Sequence, residues 1–128
     1  MAGGDGLRNL RDAQAAGELA ASLMRGDDGA RIAMLELVGW DTHANQLGAF
    51  RRNVSQLDAL LGAYRAGMGS AWASTIVMVV TEFGRTARFN GTNGTDHGTA
   101  SAALLMGGAV KGGRMIADWP GLRTANLY

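Results

Sequence analysis

Apolar and polar positions in this chain alternate between helical and strand-like rhythms. Leu7, Leu10, Leu19, Leu23 and Met24 stand among alanines and charges, which predicts an amphipathic helix over 7–24, interrupted only by Gly17. Gly26-Asp-Asp-Gly29 ends it. Arg31-Ile-Ala-Met-Leu-Glu-Leu-Val38 is an apolar run of strand length, suited to a central strand covered on both faces. Leu47, Phe50, Val54, Leu57, Leu61 and Tyr64 then recur at steps of three and four, the core-facing stripe of a long helix reaching about Gly67. Thr75-Ile-Val-Met-Val-Val-Thr81 is the clearest strand, dense in β-branched residues. A polar, glycine-rich loop is expected over 90–98, a third strand over 102–106 and a short fourth over 114–117.

Strand, helix, strand in that order predicts a right-handed crossover. The expected fold class is therefore α/β: a partial, mostly parallel sheet flanked by helices, in one domain over 1–128. So few strands leave open sheet edges, which invite self-association and suggest that neighbouring sequence is missing at both ends.

Composition narrows the function classes. With 128 residues, 47% hydrophobic and 18% charged, the chain has the makings of one globular core. A net charge of +1, with the basic residues scattered, gives no electrostatic footprint for nucleic acid. No apolar run reaches the roughly 20 residues of a membrane span, and Met1 to Gly6 has no signal-peptide pattern. Cysteine is absent, which removes disulfides, thiol catalysis and zinc-thiolate sites. Glycine is abundant, 20 residues against one proline, and concentrates where tight turns and close backbone approach are expected.

In parallel sheets, ligands bind beyond the carboxyl ends of strands, and three polar clusters fall just after apolar segments. Asp41 and His43 follow the first run, Glu82 and Arg85 follow the second, and Asp96 and His97 sit in the glycine-rich loop. Both histidines of the chain are among them. Carboxylates and imidazoles converging on one rim form the oxygen-and-nitrogen donor set of a metal site. Each cluster also has a plainer reading: Asp41 as a helix cap, Asp96 in an Asx-turn, Glu82 and Arg85 as a local salt bridge. In the functional reading Arg85 clamps a substrate oxyanion in bidentate geometry. Glu82 supports it, as a ligand or by orienting a ligating histidine. Gly107-Gly-Ala-Val-Lys-Gly-Gly113 lacks the Ser or Thr after Lys111 that a Walker-type loop needs, and reads as a turn.

Gly39-Trp-Asp-Thr-His-Ala-Asn-Gln46, Thr81-Glu-Phe-Gly-Arg-Thr86, Gly94-Thr-Asp-His-Gly98 and the 107–113 turn, in this order and spacing, resemble the DUF1501 family. That group of bacterial proteins, many with twin-arginine export signals, is placed in the alkaline phosphatase-like (sulfatase-like) superfamily. The resemblance runs from about Leu19 to Tyr128 and corresponds to the C-terminal portion of the family pattern, truncated at both ends. It implies an alkaline phosphatase-like core fragment with divalent metals beyond the strand ends. Asp96 and His97 resemble the pair binding one metal; Asp41 and His43 resemble the pair supplying the other. Gly3-Gly-Asp-Gly6 echoes an N-terminal family motif in letters only, since a helix follows it.

The resemblance implies a fragment of a metal-dependent hydrolase of phosphate or sulfate esters, weakly active or inactive alone because no convincing nucleophile is present. Its cofactor is a divalent metal (zinc, manganese, magnesium or calcium), its partner an anionic small-molecule ester, and its location periplasmic or otherwise extracytoplasmic. The alternative is a non-catalytic metal-binding or interaction module on the same scaffold.

Overall fold

The computed structural model describes residue 7 and residues 9–127, so the Gly3-Gly-Asp-Gly6 echo lies outside the described residues. Helices and strands are both present, and the chain divides into two compact units. The first comprises the described residues up to Asp41 together with 47–72; the second comprises 42–46 and those from Ala73 onward.

In the first unit, α1 (Leu10–Met24) begins at Asn9, whose side chain accepts from the Asp12 amide at 3.0 Å. Asn9 Nδ2 also donates to the Asp12 carboxylate at 3.2 Å. This reciprocal cap, with an acidic residue in the first turn, satisfies donors that a helix start leaves open. The chain turns away through Gly26, at φ +100°, and the Ala30 amide returns to the Leu23 carbonyl at 2.8 Å.

The second helix, α2 (Gln46–Met68), packs along α1 in the first unit through small residues. Ala13, Gly17, Ala20 and Ala21 are the buried positions of α1, spaced four, three and one apart as one helical face requires. Gly17 is where the backbones come closest: a Cβ there would fall 2.2 Å from the Leu60 carbonyl oxygen and 2.9 Å from the Tyr64 amide. Gln56 Nε2 donates to the Leu7 carbonyl at 3.2 Å, and Arg25 Nη1 to the Gly67 carbonyl at 3.4 Å. Contacts thus advance in the same order along both helices, which run parallel.

The buried faces differ from the expected stripes. Leu10, Leu19 and Leu23 are more than half exposed, and so is Leu47. The side of α2 that is covered carries Asn53, Gln56, Leu60, Tyr64 and Met68. Two of these are polar because they serve irregular backbone: Asn53 Nδ2 donates to the Gly39 carbonyl and Gln56 to that of Leu7. A buried carbonyl without such a donor would carry a desolvation cost. Trp40 meets Phe50 edge to face at 5.9 Å.

Among its described residues the second unit holds four short strands: β1 (Val77–Val79), β2 (Gly84–Phe89), β3 (Thr95–Gly98) and β4 (Leu104–Met106). They form two separate two-stranded ladders, both antiparallel. Val77, Met78 and Val79 pair with Met106, Leu105 and Leu104. Gly84 pairs with Gly98, Arg85 with His97 and Phe89 with Thr95, with a register shift between Arg85 and Phe89.

The mostly parallel, alkaline phosphatase-like sheet is therefore not what this chain forms. A parallel crossover would need residues 31–38 in a ladder, but that run forms no strand, with Ile32 87% and Met34 95% exposed. Apolar composition alone does not make a strand where no neighbour offers a ladder. β1 instead takes β4, whose turn is fixed by Gly107 at φ +133°, packed so closely on Thr75 that a Cβ would meet its carbonyl oxygen. The fourth strand expected over 114–117 is likewise absent, and Met115 and Ile116 are each 89% exposed. Conversely, the polar 84–98 stretch, expected to be loop in its second half, is a hairpin.

Candidate functional site

Residues 42–46 belong to the second unit, where the β2–β3 hairpin holds them. The amides of Asn45 and Gln46 donate to the carbonyls of Thr92 and Asn93, each at 3.0 Å. Thr95 Oγ1 donates to Gln46 Oε1 at 2.8 Å, and Thr92 Oγ1 to the His43 carbonyl at 2.7 Å. Gly94 is the point of closest approach, where a Cβ would lie 2.2 Å from the His43 carbonyl carbon and oxygen. Asn45 and Asn93 both take left-handed backbone, φ +46° and +57°, a conformation that asparagine tolerates better than most residues.

This docking brings together residues far apart in sequence. His43 Nδ1 lies 3.0 Å from Asp96 Oδ1. The rings of His43 and His97 are 5.0 Å apart, centroid to centroid, tilted by 35°. Asp41 precedes this segment by one residue along the chain. One of its carboxylate oxygens and one ring nitrogen each of His43 and His97 lie within 4.8 Å of one another, all three residues being exposed. Asp96 is not a member of that trio. Adjacent side chains of a strand point to opposite faces, so the pleat of β3 works against both Asp96 and His97 facing one point.

The Asp96 carboxyl is held below the ordinary aspartate range, chiefly by its hydrogen bond with His43 and next by that from Asn90. At neutral pH it is an ionised, acceptor-only group. The proton in the His43 contact therefore sits on Nδ1, and in the neutral ring the lone pair is on Nε2.

Arg85, paired with His97 across the hairpin, directs Nη1 to the carbonyls of Thr95 and Thr42, at 2.5 and 3.4 Å. Its guanidinium lies 5.0 Å from the centre of the Phe83 ring, and Phe83 stacks on His97 at 4.2 Å with 13° between planes. Glu82 is exposed and forms no ion pair with Arg85 among the described residues, so neither the salt-bridge reading nor a place in the trio applies to it.

The sequence profile of a family described as "Protein of unknown function (DUF1501)" matches residues 2–127. The chain belongs to the DUF1501 family. No curated protein and no solved structure matches it.

In this DUF1501 chain, parts of three of the four recognised motifs meet in the second unit: the 42–46 portion of the first, the Glu-Phe-Gly-Arg strand start and the Gly-Thr-Asp-His-Gly strand. Sequence reasoning missed two residues that organise them. Asn90 donates from Nδ2 to the His43 carbonyl at 2.8 Å and to Asp96 Oδ1 at 3.0 Å. Its Oδ1 accepts from the Thr92 and Gly94 amides, each at 3.0 Å, and lies 3.0 Å from the Thr92 hydroxyl, whose single proton it shares with the His43 carbonyl. The Asn90-Gly91 pair, a turn signal, was the available clue. Phe83 is the other, and its letter alone gave no sign that it would carry both His97 and Arg85. Among the described residues no helix is long and apolar enough to cross a membrane.

Proposed function

We propose that this DUF1501 chain binds a divalent cation through Asp41, His43 and His97, as a segment of a metal-dependent hydrolase of phosphate or sulfate esters. The convergence of those three donors is the observation that supports the reading. One carboxylate oxygen and two imidazole nitrogens form the donor set of zinc and other first-row dications, whereas magnesium and calcium prefer oxygen ligands throughout. Zinc or manganese is thus the better chemical fit. A donor spread of up to 4.8 Å closes onto one ion by modest rotation of exposed side chains. When bound, such an ion polarises a phosphoryl or sulfuryl oxygen. The exposure of all three ligands leaves room for an anionic ester beside it.

A second, non-catalytic reading is favoured by Arg85. Its Nη1 donates to two backbone carbonyls and its guanidinium lies over the Phe83 ring, so these contacts hold the hairpin to the 42–46 turn. On this reading the chain binds metal as part of an interaction module and does no chemistry.

Equilibrium dialysis against zinc and against manganese, followed by metal analysis, tests the binding. The expected result is one cation per chain for the wild type and none for the His43→Ala/His97→Ala double variant. Hydrolysis of p-nitrophenyl phosphate and p-nitrophenyl sulfate separates the two readings. Equal rates from the wild type and the double variant, with stoichiometric metal in the former alone, select the non-catalytic module.

A further inference from the structure

We propose that Asp96 is a positioning residue that stands outside the coordination sphere: it takes the Nδ1 proton of His43 and so turns Nε2 of that ring toward the cation shared with Asp41 and His97. The inference rests on the metal-binding reading above and departs from the expectation that Asp96 is itself a ligand. Three observations carry it.

Asp96 Oδ1 lies 3.0 Å from His43 Nδ1 and also accepts from Asn90 Nδ2 at 3.0 Å. Two donors at hydrogen-bond distance engage that oxygen, and both point Asp96 at His43 and the Asn90 turn. Asp96 is also absent from the group of donors that approach one another, although its neighbour His97 belongs to it. Finally, Asn90 binds the His43 carbonyl with the same amide that binds Asp96, so backbone and ring of His43 are fixed by one linked set of contacts. A carboxylate on the far nitrogen of a ligating imidazole fixes the tautomer, aims the ring and raises its basicity. The Asp96 contact on Nδ1 leaves Nε2 of His43 for that part.

The test compares Asp96→Asn, Asp96→Ala and His97→Ala with the wild type by two readouts. The first is zinc affinity and stoichiometry by equilibrium dialysis. Losing an outer carboxylate costs about 10–100-fold in affinity, so both Asp96 variants are expected to keep one zinc per chain at weakened affinity. Asparagine, which retains an acceptor oxygen, is expected to lose less than alanine. His97→Ala is expected to lose stoichiometric binding. The second readout needs no metal: the 15N shifts of the His43 ring in the metal-free protein. The Nδ1-protonated tautomer is expected to dominate in the wild type and in Asp96→Asn, and to give way to a mixture in Asp96→Ala.

Loss of zinc from Asp96→Ala as complete as from His97→Ala would make Asp96 a ligand and overturn the proposal while leaving the metal reading intact. A His43 ring protonated mainly on Nε2 in the wild type would overturn it as well. Absence of stoichiometric zinc from the wild type sinks the metal reading itself, and the inference with it.

Discussion

Gly94 and His43 are in backbone contact: a Cβ at Gly94 would lie 2.2 Å from both the carbonyl carbon and the carbonyl oxygen of His43. That clearance is what allows the 42–46 turn to lie on the β2–β3 hairpin. Gly94→Ala must therefore push the turn away or bend the hairpin. Overpacking of this kind costs about 1–3 kcal/mol, and urea unfolding is the measurement. Gly48→Ala is the control. Gly48 lies in α2 with nothing within 4 Å of its would-be Cβ, so alanine there should leave stability unchanged or raise it by up to about 1 kcal/mol.

The Asn90 side chain makes five hydrogen-bond contacts within the second unit, and Asn90→Ala removes all of these while keeping the backbone bond to Gly94. At about 1 kcal/mol net for a typical bond, the loss should exceed about 2 kcal/mol in thermal or urea unfolding. The same change removes one of the donors that hold Asp96 low. The 13C-detected titration midpoint of the Asp96 carboxyl should consequently rise toward the ordinary aspartate value. The sign follows from linkage: a depressed folded pKa adds stability above the unfolded value, and that increment disappears as pH falls through the folded one. A midpoint unchanged by Asn90→Ala would contradict the assignment.

Tyr64 carries the opposite pH dependence. Burial between the helices raises its phenol above the ordinary value of 10.0, and the hydroxyl donates to Met24 Sδ at 3.3 Å. A raised folded pKa contributes stability that is present below the unfolded value and is lost as pH climbs through the folded one. The first unit should weaken above about pH 10 as the phenolate forms. Tyr64→Phe should flatten that alkaline limb, as followed by far-UV circular dichroism across a pH series. An identical limb in the variant would assign it to another group.

Gly17 sets the spacing of the two parallel helices. Gly17→Ala raises intrinsic helix propensity by up to about 1 kcal/mol, yet places a Cβ 2.2 Å from the Leu60 carbonyl oxygen. The clash involves backbone, which cannot rotate away, so the steric cost should win. The expected outcome is a net loss of about 1–3 kcal/mol in denaturant unfolding. A more stable variant would mean that the helices separate freely.

Sequence rhythm located both helices well. The one predicted over 7–24 is α1 at Leu10–Met24, and the stripe from Leu47 to Tyr64 lies inside α2. Of the α2 stripe Tyr64 is buried as expected, whereas the buried face of α1 was not legible, because it is made by Gly17 and alanines. Small residues carry no signal on a hydrophobicity scale even where they allow the closest packing. The strands near 77–79 and 104–106 were read correctly from β-branched and apolar density. The 31–38 run looked the same in letters and pairs with nothing, since a strand depends on a neighbour elsewhere in the chain. The Thr-Asp-His-Gly strand was hidden for the converse reason. Its ladder is held by backbone pairing to β2 and by clearance at Gly84 and Gly98, where a Cβ would meet facing carbonyls, with little help from side-chain hydrophobicity. As for the site, residue types pointed to His43, Asp96 and His97, and the structure brings these together. Only their arrangement in space separates the hydrogen bond of Asp96 to His43 from the ligand role proposed for its neighbour.

The face-to-face stack of Phe83 on His97, 4.2 Å apart with ring planes nearly parallel, has a spectroscopic consequence. Protons above a benzene ring are shielded by its circulating electrons, so the carbon-bound protons of His97 should resonate upfield of those of His43. The chain contains two histidines. Its own phenylalanine thus labels one of them, and the two imidazoles can be followed separately in a proton spectrum without a substitution to tell them apart.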